Sequence, residues 1–163
     1  MSKLIITTPR VLTANVKKED VVHKYAIGEN YQVFITRERE YIVSDVAIPS
    51  EREMERISDA FSEYLETGRD IGEIMEEFNI DMRYKYILER EISGYSVLEP
   101  LFLDKNLIDI HIISEKPVKV FHQEYGSLIS NIVLDERKLI ELTMKIAVSA
   151  GKVLSERRPL ISF

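Results

Sequence analysis

Arg157 and Arg158 are the residues of this chain best suited to gripping a phosphate. They stand between Glu156 and Pro159, in a stretch that reads as a loop. Two adjacent guanidiniums can each offer a pair of parallel N–H donors to phosphate oxygens, which a point-charge ammonium cannot. The competing reading is a surface doublet paired with a local acid such as Glu156. Gly151-Lys152 has no glycine loop before it, so it reads as a helix end: a left-handed cap followed by a base that suits the helix dipole. The chain contains no GxxxxGK[ST], GxGxxG, GxSxG, HExxH or EF-hand pattern. Its three histidines are His23, His111 and His122. His111 and His122 fall on adjacent predicted strands and could approach one another, with Glu115 and Glu124 near them in sequence. No spacing forces three ligands to converge, as zinc requires, so partly buried, hydrogen-bonded strand histidines are the default. Ser62, Ser96, Ser114 and Ser130 have no base fixed beside them by any motif. Glu99, before Pro100, reads as a latch on a turn.

Periodicity supplies the elements that must position these groups. Residues 1 to about 16 are apolar and β-leaning, a strand or an ordered arm broken by Pro9. Two or three antiparallel strands follow, through VVHKYAIG, YQVFITRE and EYIVSDVAI, with a turn at Gly28-Glu29-Asn30. Ser50-Glu51-Arg52-Glu53 is a capping box. The helix after it places Met54, Ile57, Phe61, Tyr64 and Leu65 on one stripe and ends near Thr67-Gly68. A second helix covers Ile71 to Phe78. A third starts near Asp81, turns Met82, Tyr86 and Ile87 inward, and ends at Ser93-Gly94. Then come a short helical turn from Val97 to Leu103 and strands over 108–113, 118–121 and 128–134. Asp135 caps a last helix with Leu139, Leu142 and Ile146 facing in, closed by Gly151. The class is α+β. A soft boundary near Gly94 divides a strand-plus-helix part, residues 1–93, from a sheet part, residues 94–163, with a three- or four-stranded sheet on helices.

Bulk properties narrow the function. With 163 residues and 45% hydrophobic content, the chain can form one domain or two small ones sharing a core. It has no cysteine, hence no disulfide framework or thiolate site. No run of 18 apolar residues and no signal-peptide core are present, so neither insertion in a membrane nor export by that route is expected. A net charge of −6 argues against nucleic acid as a partner. The charge is uneven. From Glu51 to Glu91 thirteen acids face six bases, so this segment carries −7 and the remainder +1. These acids read either as a solvated helical face or as a docking face for a basic partner, with Glu73, Glu76 and Glu77 as its candidates.

From Gly94 onward the order of residues resembles the N-terminal domain of the type II/type IV secretion ATPases, closest to the archaeal branch that drives pili, archaella and secretion. The residues that carry the likeness are Gly94-Tyr95, Leu98-Glu99-Pro100-Leu101, Asp104 and Ile108-Asp109-Ile110, then Val118, Val120, His122, Tyr125-Gly126, Leu128 and Asn131-Ile132. Tyr25 to Gly28, Tyr31 to Ile35 and Tyr41 to Ile48 fit the same frame less tightly. The resemblance implies a cytoplasmic hexamer, peripheral to the membrane. In it this domain covers ATP and Mg2+ held by a motor domain expected beyond Phe163, contacts neighbouring subunits and docks on a membrane platform protein. The bacterial branch carries arginines on the strand that here reads Val120-Phe121-His122-Gln123. Any phosphate contact therefore passes to Arg157, Arg158 and Lys119. The chain alone, with no Walker motif, is expected to be non-catalytic. The rival reading is a freestanding adaptor or regulatory domain that binds a protein or a small ligand and has no ATP role.

Overall fold

The computed structural model describes residues 9–149 and 160–162. Among the described residues, seven strands and five α-helices give an α+β fold. The strands are β1 (Val21–Ile27), β2 (Tyr31–Thr36), β3 (Glu40–Asp45), β4 (Leu107–His111), β5 (Pro117–His122), β6 (Gly126–Val133) and β7 (Leu160–Ser162). The helices are α1 (Glu51–Thr67), α2 (Ile71–Glu77), α3 (Lys85–Ile92), α4 (Glu99–Leu103) and α5 (Glu136–Ser149). All strands join one mixed sheet in the order β1-β2-β3-β6-β5-β4-β7.

The chain forms two compact units, one of residues 1–11 and 47–96, the other of residues 12–46 and 97–163. The expected division at Gly94 differs from this. The three N-terminal strands group with the later strands, because β3 pairs with β6 and extends their sheet. For the same reason the sheet has seven strands rather than three or four.

The helical unit is built from local signals. Ser50 accepts a hydrogen bond from the Glu53 amide, and the Glu53 carboxylate accepts one from the Ser50 amide. The Ser50 amide is also the main cause of a Glu53 pKa below the ordinary carboxylate range. Gly68 ends α1 in the left-handed conformation (φ 66°), which glycine adopts without a Cβ clash. Asp70 caps α2 through the Glu73 amide. The core of this unit is Ile57, Ala60, Phe61, Ile74, Met75, Tyr84, Ile87 and Leu88. Two expected core residues lie outside it. Met82 is 66% exposed because Met82–Tyr84 is a 3₁₀ turn, whose tighter winding brings Tyr84 inward instead. Leu65, at the end of the α1 stripe, is 46% exposed.

The sheet unit depends on two side chains. Asp104, after α4, is 3% exposed and accepts four hydrogen bonds. Tyr25 of β1 and Tyr41 of β3 donate to one oxygen at 2.5 and 2.6 Å, and the Asn106 amide and side chain donate to the other at 2.9 and 3.1 Å. Burial first, and then the adjoining carboxylate, keep both tyrosines protonated, with pKa values well above the ordinary phenol range. The second is Asn131. Parallel pairing of β3 with β6 covers only Glu40↔Ile129 and Tyr41↔Ser130. Where it stops, the Asn131 amide accepts from the Val43 N–H at 2.9 Å and donates to the carbonyls of Val43 and Thr13 at 2.9 and 3.1 Å. One side chain thus completes a ladder that two backbones leave open.

Asn131→Ala strands the Val43 N–H and two carbonyls at a strand boundary, at a cost of about 1–3 kcal/mol. A drop of several degrees in the thermal midpoint by circular dichroism is expected. A midpoint within one degree of the parent, a margin below the effect of about 1 kcal/mol, would contradict this role.

Candidate functional site

Strand β5 alternates with period two, so its two faces see different surroundings. Val118, Val120 and His122 are buried, while Pro117, Lys119 and Phe121 are exposed. On the exposed face the register sets His111 beside Lys119 and Lys119 beside Ile129. The next row is Asp109, Phe121 and Ser127. Between these rows and the β4–β5 turn lies an open groove of about 620 Å³. Ile113, Phe121 and Ile129 form its apolar floor, each close to half exposed. Lys116 and Lys119 stand at its rim. Among the described residues neither lysine has an acid within ion-pair distance. The acid nearest in the rows, Asp109, is already engaged by His111, whose Nε2 lies 2.6 Å from its carboxylate.

This arrangement suits binding better than covalent catalysis. An apolar floor with two unneutralised ammoniums fits a ligand or segment that is partly flat and apolar and partly anionic. Ser127 is a hydroxyl in the groove, but Phe121 stands between it and Asp109. Two strand spacings, about 10 Å, separate that hydroxyl from the His111–Asp109 pair, too far for a nucleophile and its base.

The approach of His111 and His122 that adjacent strands would allow is not realised. Both strands are adjacent, but the register pairs His122 with Leu107 and His111 with Lys119. His111 is exposed on the groove side, and His122 is 2% exposed on the other. His122 is the residue that sequence reasoning undervalued. Its Nδ1 accepts from the amides of Glu124 and Tyr125 at 3.1 and 3.4 Å, and among the described residues its buried Nε2 has no hydrogen-bond partner. The rings of Tyr125 and Tyr25 lie 5.2 and 6.0 Å away, centre to centre. Burial is the main cause of a pKa below the ordinary imidazole value; Asp104 and Glu124 oppose it and His23 adds to it. Strict alternation along VKVFH, with Lys119 placed outward, was the available signal that His122 faces in.

Of the phosphate-contact candidates, Lys119 sits on the groove, and Arg157 and Arg158 lie outside the described residues, as does the Gly151 cap. Glu73, Glu76 and Glu77 are exposed on α2 in the helical unit. Arg69 engages Glu77 at 2.8 Å and Glu63 at 3.3 Å. Glu99 is half-buried in the first turn of α4, beside the buried Pro100. Among the described residues no helix is long and apolar enough to cross a membrane.

No protein-family model matches the chain. It is similar to two uncharacterized proteins of Methanocaldococcus jannaschii. It is 34% identical to MJ0900 over 80 residues, which are 48% of this chain and 14% of that protein. It is 27% identical to MJ1288 over 170 aligned positions, which cover 99% of this chain and 64% of that protein. The chain therefore spans less than two thirds of either relative.

Glu73→Lys and Glu76→Lys, at exposed sites with no ion pair among the described residues, are expected to leave stability within about 0.5 kcal/mol. Glu77→Lys also loses the Arg69 pair and places two cations together, and should be the most costly of the three, by up to about 1 kcal/mol. Urea unfolding of the three variants checks this order. A loss at Glu73 or Glu76 larger than at Glu77 would show that α2 has contacts other than those described.

Proposed function

We propose that this chain is the non-catalytic N-terminal portion of a secretion-type motor ATPase, and that the β4–β5–β6 groove is the face it turns toward the motor's nucleotide. The groove with its two uncountered lysines carries this reading. Lys119 would attract phosphate oxygens, with Lys116 beside it, and the apolar floor would take the flat remainder of the ligand. ATP and Mg2+ would be held chiefly by the motor domain, so the contribution here is charge placed where negative charge develops, with no bond made or broken by this chain. The residues of the resemblance support the reading through their structural tasks: Asp104, His122 and Asn131 each build the sheet that presents the groove. In this account the acidic α2 face, with Glu73 and Glu76, docks a membrane platform protein, and the protein works in the cytoplasm as part of a hexameric ring.

One observation favours the second reading, a freestanding adaptor. MJ1288 matches nearly the whole chain, and the third of it that lies outside the match is shorter than the matched part. A parallel-sheet motor with helices on both faces needs more chain than that. MJ0900, of which the match is a small fraction, has ample room.

The readings separate on nucleotide binding. Titration of the chain with a fluorescent ATP analogue and Mg2+, at low salt, should give weak, salt-sensitive binding. Lys116→Ala with Lys119→Ala should weaken it roughly tenfold, about 1.4 kcal/mol. No binding, or binding indifferent to both lysines, would overturn the motor reading and leave the adaptor.

A further inference from the structure

The turn between β5 and β6 is held from two sides. From outside, the Arg39 guanidinium donates to the carbonyls of Tyr125 and Ser127 at 2.9 and 3.3 Å, straddling Gly126. A Cβ on Gly126, whose φ is 72°, would meet that guanidinium at 3.4 Å. From inside, His122 Nδ1 accepts from the amides of Glu124 and Tyr125. A ring nitrogen can accept only while it carries no proton. The bonded form is therefore the neutral tautomer with its hydrogen on Nε2. Adding a proton puts it on Nδ1, where three N–H groups would then point at one another.

The surroundings do not relieve that conflict. His122 is 2% exposed, so a charge on it loses its water. Asp104 and Glu124 are the carboxylates whose fields favour the cation, but Asp104 already holds four donors. His23, whose ring lies 5.9 Å from that of Tyr125, opposes the cation when itself charged. Tyr25 and Tyr125 present rings, and the Arg39 cation is occupied by the carbonyls.

We propose that His122 is a protonation-controlled latch: unprotonated, it clamps the β5–β6 turn, and protonated, it releases it. The pair next to His122↔Gly126 in the ladder is Phe121↔Ser127, and both residues line the groove. Release would loosen that part of the groove lining. This consequence rests on the groove being a binding surface, whereas the latch itself does not. The sign follows from the depressed folded-state value. The clamp contributes in full above the ordinary imidazole range near 6.5 and is lost as pH falls through the lower folded value.

Nitrogen-15 NMR of the whole chain, titrated from about pH 8 to about pH 5, reads the latch directly. At the upper end the His122 ring should carry its hydrogen on Nε2. On acidification the amides of Glu124 and Tyr125 should lose hydrogen-exchange protection about tenfold or more, corrected for intrinsic rates, together with shifts at Phe121 and Ser127. In His122→Asn the side-chain oxygen can still accept from both amides and does not titrate, so the acid step should vanish there. A step that persists in His122→Asn overturns the latch, as does a proton on Nδ1 of the parent at neutral pH. Should the variant fail to fold, the ring signals of the parent decide alone. The nucleotide titration is run above the acid step, so its failure would leave the latch standing.

Discussion

The Asp104 carboxylate is the interaction on which the sheet unit depends. A buried acid is tolerable only when its lone pairs are filled, and here four donors fill them. Two of the donors come from strands separated from Asp104 by more than sixty residues of chain, Tyr25 on β1 and Tyr41 on β3. The same carboxylate accepts from Asn106, the residue just before β4. The N-terminal strands are thus tied to the later strands by more than the short β3–β6 ladder. Asn131 then repairs the part of that ladder where backbone pairing stops.

This frame explains why β5 has two characters. Its inner face meets the Asp104 neighbourhood, where His122 is buried among Tyr25 and Tyr125. Its outer face has no covering element among the described residues and carries Lys119 and Phe121 beside Ile113 and Ile129. One strand of six residues links a buried titratable group to an open cationic groove.

What could be read from the sequence was local. Ser50 and Glu53 announced the start of α1, Gly68 its end, and Asp135 the start of α5, because each acts within one turn of chain. The alternation of YQVFIT marked β2 correctly. The joining of the two strand sets was not legible, since it rests on two parallel residue pairs and one asparagine amide that no periodicity encodes. The inward turn of Met82 failed because a 3₁₀ turn shifts the helical phase. That His111 and His122 stay apart was not legible either, because adjacency of strands does not fix which face each residue takes; register does. The resemblance drew attention to Asp104, His122 and Asn131 without saying that their tasks are to hold tyrosines, a turn and a strand.

A double-mutant cycle between Asp104 and Tyr41 tests the hub most directly. Unfolding free energies of the parent, Asp104→Asn, Tyr41→Phe and the double variant give the coupling. A buried, charge-assisted pair at the centre of a shared network should couple by about 1–3 kcal/mol. A coupling indistinguishable from zero would mean that the tyrosine and the carboxylate stabilise the sheet independently, and Asp104 would no longer be what joins its two halves.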